Sequence, residues 1–211
     1  MNAKVTRRSF LKAAGAATAV AASGSLPHLF SVAAFAQSAR TITIGINATL
    51  ESLDVHTAIG PNIIGGRIFG LFSDSLVQTG KDGELKPMLA TEWSGDGLYW
   101  RFKLREGVIF HDGSEMTADD VVYSFGRILD PNNPQPSGFA QDFQRYVAKV
   151  EATGDLEITI TTPTQDPLLP FRLDSYWASI VPRAASEAAG AEVLQFNPIG
   201  AGPYKVVEFK T

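Results

Sequence analysis

Three histidines, His28, His56 and His111, are the side chains best suited to proton transfer or metal binding in this 211-residue chain, which contains no cysteine. Each stands alone. No H-x-x-x-H pair or second ligand at metal spacing accompanies any of them, so no metal site is assigned. Without Cys the chain has no thiolate ligand, no thiol nucleophile and no disulfide. Serines are plentiful, but G-x-S-x-G is absent, as are G-x-G-x-x-G and G-x-x-x-x-G-K-[ST]. Asp119 and Asp120 resemble a carboxylate pair. On a helix, however, adjacent residues point about 100° apart, and both acids suit a helix start better. Phe139, Phe143, Tyr146, Tyr176 and Trp177 lie in or near loops. They suit either an apolar binding pocket or core packing. No cofactor is expected.

The elements that must position these residues are clearest between Leu85 and Asp130. Tyr99 to Leu104 alternates, with Trp100, Phe102 and Leu104 on one face and Tyr99, Arg101 and Lys103 on the other, the period of a half-buried strand. Asp96-Gly97 and Asp112-Gly113 are turn signals on either side. Thr117-Ala-Asp-Asp120 predicts a helix start. Val121, Val122, Phe125, Ile128 and Leu129 follow at helical spacing, and Pro131 is a stop. Pro61 to Leu76 has helical spacing weakened by Gly65, Gly66 and Gly70. Lys81-Asp82-Gly83 predicts a hairpin turn, and Asp130 to Gly138 an irregular loop. Arg145–Ala152 and Leu156–Thr162 predict two strands about the turn at Thr153-Gly154-Asp155. Arg40–Ile46 and Tyr204–Phe209 predict two more.

The Leu85–Asp130 stretch resembles the solute-binding proteins of peptide-type ABC importers, solute-binding protein family 5. That family includes oligopeptide-, dipeptide- and nickel-binding proteins. Its signature runs roughly P-x-L-A-x-x-W, then D-G-x-x-[YW]-x-F-x-L-R-x-x-V-x-F-x-D-G-x-x-[LMV]-T-A-x-D-V-x-[YF]-S. The matching residues are Pro87, Leu89-Ala90, Trp93, Asp96-Gly97, Tyr99, Phe102, Leu104-Arg105, Val108, Phe110, Asp112-Gly113, Met116-Thr117-Ala118, Asp120-Val121 and Tyr123-Ser124. Ser179-Ile-Val-Pro182 and Asn197–Tyr204 resemble the family's I-V-P-[KR] and P-[IV]-G-T-G-P-Y runs, with Ala201 in place of the usual Thr. Ser52-Leu53-Asp54 resembles its S-L-D-P, with Val55 in place of Pro.

The resemblance implies an α/β, periplasmic-binding-protein-like fold of two lobes that close on a ligand about a hinge, with ligand affinity for the closed form driving closure. Family members are much longer. The resemblance therefore implies that only the first lobe and its inserted β-rich subdomain are present. The expected organisation is a signal peptide over 1–36, a first lobe segment over 37–58, the inserted subdomain over 59–170 and a return into the first lobe over 171–211. The implied function is capture of a peptide or peptide-like small solute for an ABC importer, without bond chemistry, so the chain is not expected to be an enzyme. The resemblance places Asn47, Thr49, Leu50 and Glu51 beside the ligand. Phe139, Tyr176 and Trp177 join them as aromatics near loops. A truncated non-functional fragment, half of a split binding protein and an exported enzyme are the other readings. A chain with one wall of the cleft is expected to bind solute weakly and to aggregate or depend on a partner.

The N-terminus carries an address. Thr6-Arg7-Arg8-Ser9-Phe10-Leu11-Lys12 matches the twin-arginine export motif, and Ala34-Phe35-Ala36 offers a signal peptidase site. Cleavage after Ala36 is expected, with residence in the periplasm. The expected partners are a peptide or other small solute, the importer's permease subunits and the twin-arginine machinery. No stable membrane anchor is expected, because the apolar run after Lys12 is broken by Gly15, Ser23, Gly24, Ser25 and Pro27. Beyond residue 36 the chain holds 14 basic against 22 acidic residues, a net charge of −8. That balance speaks against nucleic acid as a partner.

Overall fold

The computed structural model describes residues 41–45, 50–56, 63–130 and 143–210. The chain divides into two compact units, Met1–Ile44 and Gly45–Thr211. The described residues correct the expected strand over Arg40–Ile46. Residues 41–45 form no strand, and Ile42 and Ile44 are 79% and 70% exposed. Alternating apolar residues specify a face, but a ladder also needs a partner for each N–H and C=O. None of the described residues supplies one here. Arg40 and Ile46 lie outside the described residues.

Among the described residues of the second unit, the first regular element is α1 (Ile63–Phe72). Ser73 ends it by sending both its N–H and its hydroxyl to the Phe69 carbonyl, at 2.9 and 2.8 Å. A hairpin follows, β1 (Val77–Thr79) with β2 (Leu85–Pro87), turning through the expected Lys81-Asp82-Gly83. The main sheet has four antiparallel strands: β3 (Ala90–Asp96), β4 (Tyr99–Leu104), β5 (Lys149–Gly154) and β6 (Glu157–Thr161), in the order β3-β4-β6-β5. The register sets Trp93 opposite Phe102 and Phe102 opposite Ile158, so the apolar residues of three strands share one face.

Against that face lies α2 (Ala118–Leu129), which buries Val121, Phe125 and Ile128. Its start is the expected Thr117, in a capping box with Asp120. Asp120 Oδ2 accepts the Thr117 N–H at 2.8 Å and the Thr117 hydroxyl at 3.0 Å. The remaining carboxylate oxygen accepts the Arg183 N–H at 2.8 Å, so one acid serves both a helix cap and a distant turn.

The same core continues past Pro170 through α3 (Leu169–Arg172) and the 3₁₀ turn Tyr176–Ala178, with Leu169, Leu173, Trp177, Ala178 and Ile180 buried in it. A second, smaller core holds Leu53, Val55, Phe69, Phe72 and Val181. Two short helices follow, α4 (Arg183–Ala189) and α5 (Ala191–Leu194).

Two more expectations need correction. The strand predicted from Arg145 starts at Lys149, because Phe143 to Tyr146 turn instead. The Phe143 carbonyl accepts the N–H groups of Tyr146 and Val147, and Phe143 and Val147 are both buried at i, i+4 spacing. Tyr204–Phe209 is not a strand either. Val206 and Phe209 turn onto the second core, a spacing of three that a pleated strand does not produce, while Val207 is 93% exposed.

Candidate functional site

The segment at residues 50–56 is built by alternation. Leu53 and Val55 enter the second core, while Asp54 and His56 are buried among polar partners. The Leu53 N–H is held by the Gln195 carbonyl at 2.8 Å. The Asp54 N–H donates to Ser52 Oγ at 3.1 Å, and the His56 N–H to Asp54 Oδ1 at 3.1 Å. These short side-chain turns give the segment its shape without secondary structure.

Arg127, in the last turn of α2, reaches this segment. Its Nη2 pairs with Asp54 Oδ2 at 2.5 Å, and its Nη1 lies 3.2 Å from Asp54 Oδ1 and 2.8 Å from His56 Nδ1. Guanidinium has no acceptor, so His56 Nδ1 must accept and Nε2 must carry the ring proton. That proton goes to the Ser179 carbonyl at 2.9 Å. Burial, and then the Arg127 charge, push the His56 pKa from 6.5 to about 4 against the opposing pull of Asp54. Burial pushes the Asp54 carboxyl up, but the hydrogen bond and charge of Arg127 outweigh it and hold the group below its ordinary value. The site is therefore an ion pair beside a neutral imidazole. With both ring nitrogens engaged, His56 has no lone pair left for a metal or for a nucleophile's proton.

Of the ligand-facing residues expected from sequence, the structure brings Leu50 and Tyr176 onto the same core. The Tyr176 ring lies over Phe69 at 5.1 Å between centroids, and burial raises its phenol pKa. Glu51 is exposed at the bend beside Leu50. Trp177 sits elsewhere: it is 8% exposed in the larger core, 4.9 Å from the Phe143 ring. Asn47, Thr49 and Phe139 lie outside the described residues.

The stretch Ser179–Arg183 joins these parts with no ladder of its own. Ile180 N–H goes to the Asp74 carbonyl at 2.9 Å, Val181 N–H to Ser124 Oγ at 2.9 Å, and Ser179 Oγ lies 3.0 Å from Ser73 Oγ. Nearby, Gly200 and Gly202 cross the end of α1. A Cβ on either would come within 2.1 and 2.5 Å of the Phe72 carbonyl group, so only glycine permits the approach. The Gly202 N–H uses that closeness to bond the Phe72 carbonyl at 3.1 Å. His111 binds the Gly202 carbonyl through Nε2 at 2.8 Å. Its Nδ1, and Oδ1 of Asp74, are buried without a hydrogen-bond partner.

Sequence reasoning missed Arg127, Asp54 and His56 as a set. The one local hint was a cation in the last turn of a helix, where the dipole favours it. No group of three or more His, Cys, Asp or Glu able to hold a metal ion exists among the described residues. Nor is any described helix long and apolar enough to cross a membrane. An open hollow of about 230 Å³ lies over β3, β4 and β6, bordered by Glu92, Ser94, Arg101, Lys103 and Glu157. It is a charged sheet face, remote in sequence from the expected ligand contacts.

Comparison with known proteins places this geometry in a family. The chain is similar to the heme-binding protein A of Haemophilus influenzae, with 36% identity over 148 residues, 61% of this chain and 27% of that protein. It is similar to the glutathione-binding protein GsiB of Escherichia coli O1:K1, with 30% identity over 207 residues, 97% of this chain and 37% of that protein. Among solved structures it resembles the Escherichia coli murein tripeptide binding protein MppA, with a TM-score of 0.67, 27% identity, and coverage of 79% of this chain and 35% of that one. The chain thus spans about a third of the length of such relatives. These relatives are binding proteins. The profile of the TAT (twin-arginine translocation) pathway signal sequence matches residues 4–24, and with the family this indicates export to the periplasm. The profile "Bacterial extracellular solute-binding proteins, family 5 Middle" matches residues 84–211, and the chain belongs to that family.

Proposed function

We propose that this chain supplies the first wall of a periplasmic binding protein that captures a peptide or peptide-like solute and delivers it to the permease subunits of an ABC importer. The observation that carries this reading is the family match over residues 84–211, joined to relatives whose names specify glutathione and a murein tripeptide. Leu50 and Glu51, with Asn47 and Thr49 before them, face the solute. Tyr176 and Phe139 add apolar contact, and Trp177 follows Tyr176 into the larger core. The twin-arginine machinery exports the precursor, and cleavage after Ala36 leaves Gln37 as the mature N-terminus. No bond is made or broken at the site.

Calorimetry of the exported protein with a panel of di- and tripeptides, glutathione and heme tests the reading. Saturable heat with at least one peptide is expected. Heat with heme alone, or with no peptide, overturns it.

A further inference from the structure

Arg127 stands at a junction. It belongs to α2, whose apolar face packs on the sheet through Val121, Phe125 and Ile128 in the larger core. Its guanidinium grips Asp54 with both terminal nitrogens, and one of them also meets His56 Nδ1 at 2.8 Å. Asp54 and His56 alternate with Leu53 and Val55, which belong to the smaller core. Leu50 and Glu51 lie immediately upstream of this anchored stretch. Among the described residues, the hydrogen bonds that hold the stretch are the Leu53 N–H on Gln195, the short local turns and this side-chain cluster. A bend followed by an anchored stretch takes its position from the anchor.

Resting on the peptide-capture reading above, we propose that Arg127 is a positioning residue for solute capture: through Asp54 and His56 it holds the Leu50–Glu51 bend, whose Leu50 packs on the same small core as Tyr176, in the conformation that meets the solute. The planar fork matters as well as the charge. Lysine can neutralise Asp54 but offers a single nitrogen, and it cannot hold two carboxylate oxygens and an imidazole at once. The neutral ring links the same device to Ser179, whose hydroxyl touches Ser73 at the end of α1, next to Phe69 and Tyr176 in the smaller core.

The test uses the full exported chain as wild type, Arg127→Lys and Arg127→Met. Amide hydrogen exchange is followed without solute. Titration with two named probes, reduced glutathione and trialanine, is followed by calorimetry. Faster exchange confined to residues 50–56, by about tenfold in Arg127→Met and less in Arg127→Lys, is expected, with residues 99–104 and 157–161 unchanged. The ¹⁵N-histidine spectrum of wild type should show His56 with its proton on Nε2, and the Nδ1 resonance should shift in Arg127→Met, where its guanidinium donor is gone. Probe affinity should fall about tenfold in Arg127→Met. Exchange that is unchanged at residues 50–56, or that rises equally throughout the chain, overturns the proposal. So does an unchanged affinity alongside faster local exchange. A wild-type protein that binds neither probe overturns the peptide reading and the capture half of the proposal, while the exchange data still decide whether Arg127 anchors the segment.

Discussion

Ile180 and Val181 are adjacent in sequence and point into different hydrophobic cores, Ile180 into the one under the sheet and Val181 into the one formed with Leu53, Phe69 and Phe72. The chain crosses from one core to the other in a single peptide unit. At that crossing Ser124 serves Val181 twice, accepting its N–H at 2.9 Å and lying 3.3 Å from its carbonyl. A side chain of α2 thus does for this peptide what a neighbouring strand would do in a sheet.

The larger core should be sensitive at Phe125. Its ring is fully buried and stacks 5.4 Å from Phe143. Phe125→Ala is expected to destabilise the protein by about 3–5 kcal/mol, read from the shift of the urea unfolding midpoint. A loss below about 1 kcal/mol would show that the ring is not a core member.

The neutral His56 predicts a pH dependence. Its folded pKa, about 4, lies below the ordinary 6.5, so the unfolded chain binds more protons between those values. Stability from this group is complete above pH 6.5, is lost as pH falls toward 4, and amounts to on the order of 3 kcal/mol. The charged groups facing it are Arg127 and Asp54, and the depressed Asp54 adds a further loss only at lower pH. Thermal melts between pH 7 and pH 4.5 should show a declining Tm for wild type and a flatter profile for His56→Gln. Equal slopes would exclude His56 as the source.

At Gly202 the prediction is steric. A methyl group there would stand 2.5 Å from the Phe72 carbonyl carbon. Gly202→Ala should cost about 1–3 kcal/mol, while Ala201→Thr, which restores the residue usual in the family, should cost less. Comparing the two by denaturant titration separates backbone closeness from side-chain chemistry in this run.

Export should depend on the two arginines. Replacing Arg7 and Arg8 by Lys is expected to leave precursor in the cytoplasm, and N-terminal sequencing of the periplasmic product should read from Gln37. Normal export of the double variant would rule out the twin-arginine route.

Local pattern was legible where one neighbour settles a residue's fate. Tyr99 to Leu104 reads as a strand because its alternation is bounded by turns, and its limits agree with β4. Thr117 reads as a cap because Asp120 stands three residues on. The same logic fails at Arg40–Ile46 and Tyr204–Phe209, where the sequence shows a pleated face but not whether a partner strand lies beside it. It fails again for Arg127. Asp54 and His56 are more than 70 positions away, and no local rule connects an arginine at a helix end to a loop so distant. Leu50 and Tyr176 were each expected near the ligand, but only the fold shows that they share one small core.

The seam around Ser179 has a kinetic consequence. His56 and Ser179 are separated by 123 residues, Arg183 and Asp120 by 63, and Val181 and Ser124 by 57. Contacts of such span close loops that are costly in chain entropy, whereas the β3–β4 hairpin and the start of α2 need only near neighbours. The seam should therefore zip shut after the rate-limiting step, once sheet and helix are already docked. Substitutions at Ser124, Ser179 or Asp54 are then expected to speed unfolding while leaving the refolding rate near that of wild type, the behaviour of late-forming contacts in stopped-flow experiments.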